Sequence, residues 1–288
     1  MNSSVTSVST TLIIDFQNFA HRARAGFTLG QYAVVFNFMR NLRALVEMHK
    51  PDRVVLALEG HPRARHDLLT EYKANRAVDL EKDEAMVSFF RQVDVIKELL
   101  AKHFPVTLVR HHDYEADDTI YNVIKSSSNC VKFVVASNDS DFTQLLNEFS
   151  NVSLYNPMKK EFVEEPDGYD YVLWKSLRGD ATDNIPGIPG LSDAKAEELA
   201  KDPVALRAFF DDPEKGKERR AIQARNFQLI EFAQWSKEEA MEMTSTQPTR
   251  DWNAVKTKFE EFAFKSIVKD GAWEKFVSTF DSLFGSAT

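Results

Sequence analysis

Cysteine is almost missing from this chain: Cys130 is the single one in 288 residues. That excludes an intrachain disulfide framework, leaves stability to a packed core and fits a reducing cytoplasm. Cys130 itself reads as a buried bystander. Long apolar runs are missing too, and no stretch is long enough to span a membrane. Residues 1–11 are Ser/Thr-rich and lack a basic region, and Asp15 cuts short the run Leu12-Ile13-Ile14. They read as a disordered leader rather than a signal peptide. No tandem repeat or long low-complexity linker divides the chain, so it reads as one integrated unit. Positive charge is in deficit, with a formal net charge of −8. The total argues against a nucleic-acid partner, but such binding needs local rather than overall positive potential. The basic residues are clustered. One stretch holds Arg63, Arg65, Lys73 and Arg76, with His61 and His66 among them; another holds Lys215, Lys217, Arg219, Arg220 and Arg225. Each reads either as a solvated helix face or as a phosphate-facing surface.

What the chain does have is a regular alternation of short β-branched runs and longer helical patterns, the signature of a mostly parallel sheet flanked by helices. Strands are expected over Thr11–Ile14, Arg53–Leu58, Val106–Val109 and Lys132–Ala136. Helices are expected over Tyr32–Met48, Lys82–His103 and Asp117–Lys125, whose apolar residues recur at helical spacing. The final third is helical and rich in phenylalanine (Phe227, Phe232, Phe259, Phe262, Phe264, Phe276, Phe280, Phe284), a pattern that core packing explains.

Against this frame, the acidic residues fall just past the strands. Asp15, Glu59 and Asp139 each follow a predicted strand, where open parallel sheets collect functional groups. Glu115, Asp117 and Asp118 open a helix, where capping and metal ligation are both readings. Asp139 and Asp141 alternate in a loop that an Asx turn would also explain. Asp180 and Asp183 precede the Pro/Gly-rich turn Ile185-Pro186-Gly187-Ile188-Pro189-Gly190, which leads into a helix over Asp193–Lys201 able to offer backbone N–H groups to a phosphate. Carboxylates gathered this closely repel one another, so divalent cations are the expected neutralisers.

Six segments in this order resemble the 5′ nucleases, which include flap endonucleases, phage 5′→3′ exonucleases and the nuclease domain of bacterial DNA polymerase I. They are Ile13-Ile14-Asp15, Leu58-Glu59-Gly60, Glu71-Tyr72-Lys73-Ala74-Asn75-Arg76, Tyr114-Glu115-Ala116-Asp117-Asp118, Ser137-Asn138-Asp139-Ser140-Asp141-Phe142 and the Gly179-Asp180 to Gly190 string. The resemblance implies a PIN-like α/β core over 12–170, with a helical arch at about 61–104. A helical DNA-binding lobe with a helix-hairpin-helix-type motif would occupy 171–288.

It further implies two Mg²⁺, with Mn²⁺ as a substitute, and two-metal hydrolysis of phosphodiesters. Asp15, Glu59, Glu115, Asp117 and Asp139 would surround one ion and Asp141, Asp180 and Asp183 the other, with Asp118 as a catalytic residue and an outer or bridging metal group. Lys73 and Arg76 would reach the scissile phosphate. Arg22, Arg63, Arg65, Gly187, Gly190, Ser192, Lys195, Lys215, Lys217, Arg219 and Arg220 would contact DNA, Tyr72 would stack on a base, and K⁺ would sit at the hairpin. The implied partners are DNA with 5′ ends, flaps or branched junctions, and RNA–DNA hybrids, bound by a monomer in replication or repair. Three departures from the family pattern stand out: Glu59 replaces the usual Asp, Phe16 replaces a small Gly, and Ser192 replaces the hairpin's second Gly. A PIN-like ribonuclease and a non-catalytic branched-DNA binder are the alternatives.

Overall fold

The computed structural model describes residues 8–284 apart from 28–29, 77–82, 129 and 166–167. Its frame is a sheet with strand order β6-β5-β4-β1-β2-β3-β9. The strands are β1 (Ser9–Asp15), β2 (Arg53–Leu58), β3 (Thr107–Arg110), β4 (Val131–Ala136), β5 (Val152–Asn156), β6 (Glu161–Phe162) and β9 (Thr244–Ser245). The five inner strands are parallel, and β6 and β9 close the two edges antiparallel. A separate two-stranded ribbon pairs β7 (Gly179–Asp180) with β8 (Ile185–Pro186). β1 begins at Ser9, so the expected leader is corrected at its end: Ser9–Thr11 pair with β4, and Thr11 also with β2. Residues 1–7 lie outside the described residues.

Because side chains alternate along a strand, β1 feeds two cores. Leu12 and Ile14 face one and Ile13 faces the other. The first face is covered by α1 (Phe16–Ala23), α2 (Ala33–His49) and α4 (Glu84–His103), the second by α5 (Ala116–Lys125) and α6 (Gln144–Glu148). Phe16, where the family has a small residue, is absorbed by this core beside Phe38, their ring centroids 5.3 Å apart.

Two corrections concern domain limits. The Met86, Phe89, Val93, Ile96 and Leu100 stripe of α4 is buried against the sheet, so this helix covers the core instead of arching over the site. Before it come α3 (Arg63–Leu68) and a 3₁₀ turn over Ala74–Arg76; the rest of the expected arch, 77–82, lies outside the described residues. In the C-terminal third, α12 (Trp252–Glu261), α13 (Lys265–Val268) and α14 (Ala272–Asp281) also join the first core through Phe259, Phe264, Phe276 and Phe280. The expected core-filling role of these rings holds, but the layer they fill is the sheet's.

The helices that stand apart are α7 (Tyr171–Arg178), α8 (Asp193–Lys201), α9 (Pro203–Phe210) and α10 (Gly216–Ile230), with their own cluster around Leu177, Ile188, Ala196 and Leu199. A short α11 (Lys237–Glu242) runs beside the sheet edge. Cys130 is exposed, not buried, because it lies in the turn entering β4. Among the described residues no helix is long and apolar enough to cross a membrane.

Candidate metal centre

The chain order β1-β2-β3 runs to one side of β1 and β4-β5 to the other, so the switch point lies between β1 and β4. Asp15 ends β1 and Asp139 lies just beyond β4, on the two lips of that crevice. Asp15 is also the N-cap of α1, accepting from Asn18 N at 3.1 Å. Asp139 accepts from Asp141 N at 2.9 Å. Glu59, after β2, accepts from Ala116 N at 3.0 Å and so ties the β2 end to the start of α5.

Here like charges crowd. Burial, with Asp139 nearby, pushes the Asp15 carboxyl up to about 6. Glu59 presents a free edge to solvent but is walled in by the cleft; that loss of surrounding water, with Glu115 and Asp15 close by, pushes it up to about 7. Asp117 is raised well above the usual range by burial and by Asp15, Asp139 and Glu59 together. Asp139 is raised by burial and by Asp141. Such a cluster binds protons in place of a cation, and all its donors are hard oxygens suited to Mg²⁺ or Mn²⁺. Asp141, Asp180 and Asp183 form a second group, each placing one carboxylate oxygen within 4.8 Å of the others. The residues present fit divalent ions.

The structure divides the Glu115-Asp117-Asp118 run. Asp118 is fully buried and clasps Arg65, accepting from Nη1 at 2.6 Å and Nη2 at 2.8 Å. It also accepts from Glu115 N and Ala233 N. Asp118 is therefore corrected from a catalytic or metal-bridging group to a structural one that caps α5 and neutralises a buried guanidinium. Arg65 is corrected from a DNA contact for the same reason: it is 7% exposed and donates further to Glu115 Oε2 and to the carbonyls of Leu229 and Glu231. Tyr72 is corrected from a base-stacking platform, being 3% exposed with its hydroxyl donating to Glu115 Oε2 at 2.8 Å. Glu115 accepts as well from Lys73 Nζ at 2.5 Å. Burial works to raise its pKa, but Lys73 and Arg65 prevail and hold it below the usual value.

Two motif loops are zipped together at the mouth. Lys73 has left-handed backbone (φ 55°), rare outside glycine, and its N–H donates to the Asp183 carbonyl. Asn75 Nδ2 donates to Ala181 O at 3.0 Å, and Asn184 Nδ2 donates back to Glu71 O at 2.8 Å. Arg76 donates to Asp183. Gly179 is required by both conformation and space: its φ is 81°, and a Cβ there would strike the backbone of Gly187 and Ile185. Gly187 in turn lies against the Arg178 carbonyl, where no Cβ fits. Asn226, wholly buried on α10, donates to Ser176 O and Pro186 O and fixes this ribbon to the helices.

Sequence reasoning missed Lys175. It is 5% exposed and its ammonium group bridges Asp141 and Asp180, the latter at 2.6 Å. Burial works to raise the Asp180 carboxyl, but Lys175 prevails and lowers it, whereas burial raises Asp183. The missed signal is positional: Lys175 lies on the buried stripe of α7 with Tyr171, Val172 and Ser176, where an unpaired lysine is almost never found. Tyr171 O–H donates to Asp141 Oδ1 at 2.9 Å.

The remaining expected contacts make no ion pair with the cleft acids among the described residues. Arg22 is half-buried at the end of α1. Arg63 is exposed and paired with Asp113 at 2.9 Å. Gly190 turns the chain with φ 78°. Ser192 caps α8, accepting from Lys195 N, while Lys195 pairs with Glu198. Lys215 and Lys217 are exposed. Arg219 donates to Phe209 O at 2.8 Å and lies over the Phe209 ring, so much of its donor capacity is spent within the lobe. Arg220 is exposed beside Asp211.

Residues 10–170 match the family described as 5′-3′ exonuclease, N-terminal resolvase-like domain. A 5′-3′ exonuclease of Aquifex aeolicus is 28% identical over 255 residues, covering 82% of this chain and 84% of that protein. DNA polymerase I of Chloroflexus aurantiacus is 28% identical over 239 residues, covering 77% of this chain but 24% of the polymerase, so the chain spans about a quarter of that relative. In fold, it is similar to the bacteriophage T5 D15 flap endonuclease solved with DNA and metal ions: TM-score 0.63, 16% identity, covering 96% of this chain and 99% of that one. The human GEN1 structure with Holliday junction DNA is likewise similar in fold, at TM-score 0.56 and 15% identity, over 94% of this chain and 72% of that one. By the match over residues 10–170, which take in β2 to β6 and the acids from Asp15 to Asp141, the chain belongs to the 5′-3′ exonuclease family defined by this N-terminal resolvase-like domain.

Proposed function

We propose that the protein is a structure-specific 5′ nuclease. It hydrolyses phosphodiester bonds in DNA with 5′ ends, 5′ flaps or branched junctions, with RNA–DNA hybrids as further substrates. It acts as a cytoplasmic monomer in replication or repair, removing flaps and RNA primers. The observation that carries this reading is the convergence of two carboxylate groups, with Lys73 and Arg76, on the switch point of the sheet.

Asp15, Glu59, Asp117 and Asp139, with Glu115 beside them, would hold one divalent ion; Asp141, Asp180 and Asp183 would hold the other. When bound, two such ions supply charge neutralisation at the phosphate and a lowered pKa for water at neutral pH. The chain's own part is placement and charge. Asp15 and Glu59, both raised towards neutrality, give up protons as cations enter, so cation affinity rises with pH. Lys73 and Arg76 are paired with Glu115 and Asp183, and a phosphate in the cleft competes for both cations. Lys73 then stabilises the developing negative charge, which favours the transition state over the ground state.

The ribbon and α8 serve as a helix-hairpin-helix-type grip on duplex phosphates. Gly187 and Gly190 shape the turn, Ser192 and Lys195 stand at the α8 N-terminus, and K⁺ is the ion for the hairpin. Lys215, Lys217 and Arg220, with Arg22 and Arg63 elsewhere, add electrostatic support.

The test is cleavage of a 5′-labelled flap duplex beside blunt duplex, single-stranded DNA and an RNA strand, with Mg²⁺ and with EDTA. Metal-dependent flap release near the junction is expected. Tight flap binding without any cut moves the reading to a binding module, and RNA-only cleavage to a ribonuclease.

A further inference from the structure

A cavity of about 250 Å³ lies in the seam between the helices that cover the sheet and those that stand apart. α5 and α6 supply one side of it, the start of α7 and the end of α10 the other. None of the carboxylates of the metal centre lines it. Its inner wall is aromatic. Tyr121, Tyr171 and Phe232 are buried there, with the Tyr121 and Phe232 ring centroids 6.0 Å apart, and Phe227 is half-buried beside them. Hydrogen bonds hold the wall in place: the Tyr171 hydroxyl donates to Asp141 Oδ1 at 2.9 Å, and Gln144 Oε1 accepts from Phe232 N at 3.1 Å.

Three carboxylates on exposed residues complete the lining: Glu148, Asp170 and Glu231. Little positive charge answers them. Lys125 is 3.7 Å from Glu148, but it donates to Gln234 Oε1 at 2.6 Å and to the Tyr121 hydroxyl at 2.9 Å. Asp170 accepts from Leu173 N as the cap of α7, and among the described residues neither Asp170 nor Glu231 has an ion pair. Glu231 keeps an open edge to solvent but is walled by the cavity; that loss of water, with Glu148 and Asp170 close by, raises its carboxyl above the usual value.

A bare metal ion does not suit this arrangement. Among the described residues only Asp141, Asp180 and Asp183 bring three ligand oxygens within 4.8 Å of one another, so the acids of this cavity are too far apart to share one small ion. Aromatic faces favour a weakly hydrated cation, and carboxylates spread around them can each take a separate N–H group. A guanidinium meets both conditions. The volume is below the ~300–1,000 Å³ of pockets that enclose drug-sized ligands, a scale suited to a guest about the size of one side chain.

We propose that this cavity binds one alkylguanidinium group, lying against the aromatic wall and paired with Glu231, Glu148 and Asp170. The group belongs either to a free guanidino compound or to an arginine of another protein, and the site stands whether or not the chain cuts DNA.

The experiment is calorimetric titration of the protein with agmatine, a free alkylguanidinium, and with N-acetyl-arginine methylamide, a mimic of arginine within a chain. Binding is expected, and the tighter of the two probes names the source. Uncharged n-butylurea should not bind. Phe227→Ala should weaken binding by about 2- to 30-fold, the worth of one cation–π contact, and Glu231→Lys by at least about 10-fold through charge reversal. Asp183→Ala, in the metal centre, should leave the Kd unchanged. In the wild type, irradiated aromatic protons of the protein should transfer saturation to the methylene protons of the bound probe, a readout that needs no variant to fold. Neither heat nor transfer with either probe, n-butylurea binding as well as agmatine, or wild-type affinity in Glu231→Lys each overturn the site. Binding lost in Asp183→Ala places the cation in the metal centre and overturns it too.

Discussion

Replacing Lys175 with methionine separates a resident protein cation from an exchangeable one. The ammonium group is 5% exposed and pairs with Asp141 and Asp180, whose oxygens lie within 4.8 Å of each other and of Asp183. Methionine keeps the unbranched apolar stem and deletes the charge. Removing one partner of a buried ion pair costs about 3–5 kcal/mol, because the other charge remains without compensation. At roughly 2–4 °C per kcal/mol for chains near this size, Tm in EDTA should fall on the order of 10 °C. Mg²⁺ should then give back more in the variant than in the wild type, since it no longer competes with a tethered cation. At a hundred times its Kd a bound ligand adds about 2.7 kcal/mol. The assay is thermal unfolding in EDTA and across a Mg²⁺ titration, with no substrate present. A Mg²⁺-induced rise no larger in Lys175→Met than in wild type would show that the Asp141-Asp180-Asp183 group is a lysine-binding site and not a metal one.

Asp139→Ala and Asp183→Ala should lower flap cleavage by at least about 100-fold in single-turnover assays, the scale of losing one essential electrostatic group. Circular dichroism melts of both in EDTA should not fall below wild type, because burial and neighbouring acids already disfavour each charge. Asp118→Asn should do the reverse, weakening the clasp on Arg65 and lowering urea stability by about 3 kcal/mol, with the cleavage rate per folded molecule nearly unchanged; an inactive, fully stable variant would return Asp118 to the metal set. Asp15→Asn tests linkage. The folded-state value of about 6 lies above the ordinary 3.8, so ionised Asp15 costs stability that is regained as pH falls through that window. In EDTA at pH 7 the variant should therefore be more stable than wild type, by up to about 3 kcal/mol. The advantage should vanish towards pH 4 and reverse in saturating Mg²⁺; equal stabilities across this range would refute the assignment.

The sheet was legible because periodicity is local. Leu12, Ile13 and Ile14 between polar neighbours announce a strand covered on both faces, and Asp15 at its end then falls at the crevice by topology alone. Glu59 and Asp139 follow from the same rule. What could not be read locally is the fate of residues whose partners are far along the chain. Arg65 and Tyr72 belong to a basic, aromatic stretch that reads as a DNA surface, yet Asp118 and Glu115, 53 and 43 positions away, draw both inside. The amphipathic stripes of α4 and of α12–α14 showed that those helices bury a face but not that the main sheet is what covers it.

Glu115 and Asp118 show why composition stops short of function. They are three residues apart on one helix turn, carry the same chemistry and share Arg65, yet they are left with different capacities. Asp118 is shut away with every contact internal, so its charge is spent on holding the fold. Glu115 meets Arg65 and Tyr72 from within and Lys73 from the cleft side, and the Lys73 side chain is 20% exposed. A carboxylate held from behind by fixed donors and from the front by a lysine within reach of solvent is positioned to exchange that lysine for another cation or to release it to a phosphate. The clasp supplies the rear half of this arrangement: the Arg65 guanidinium holds Glu115 from behind, and Asp118 balances its charge from the buried side.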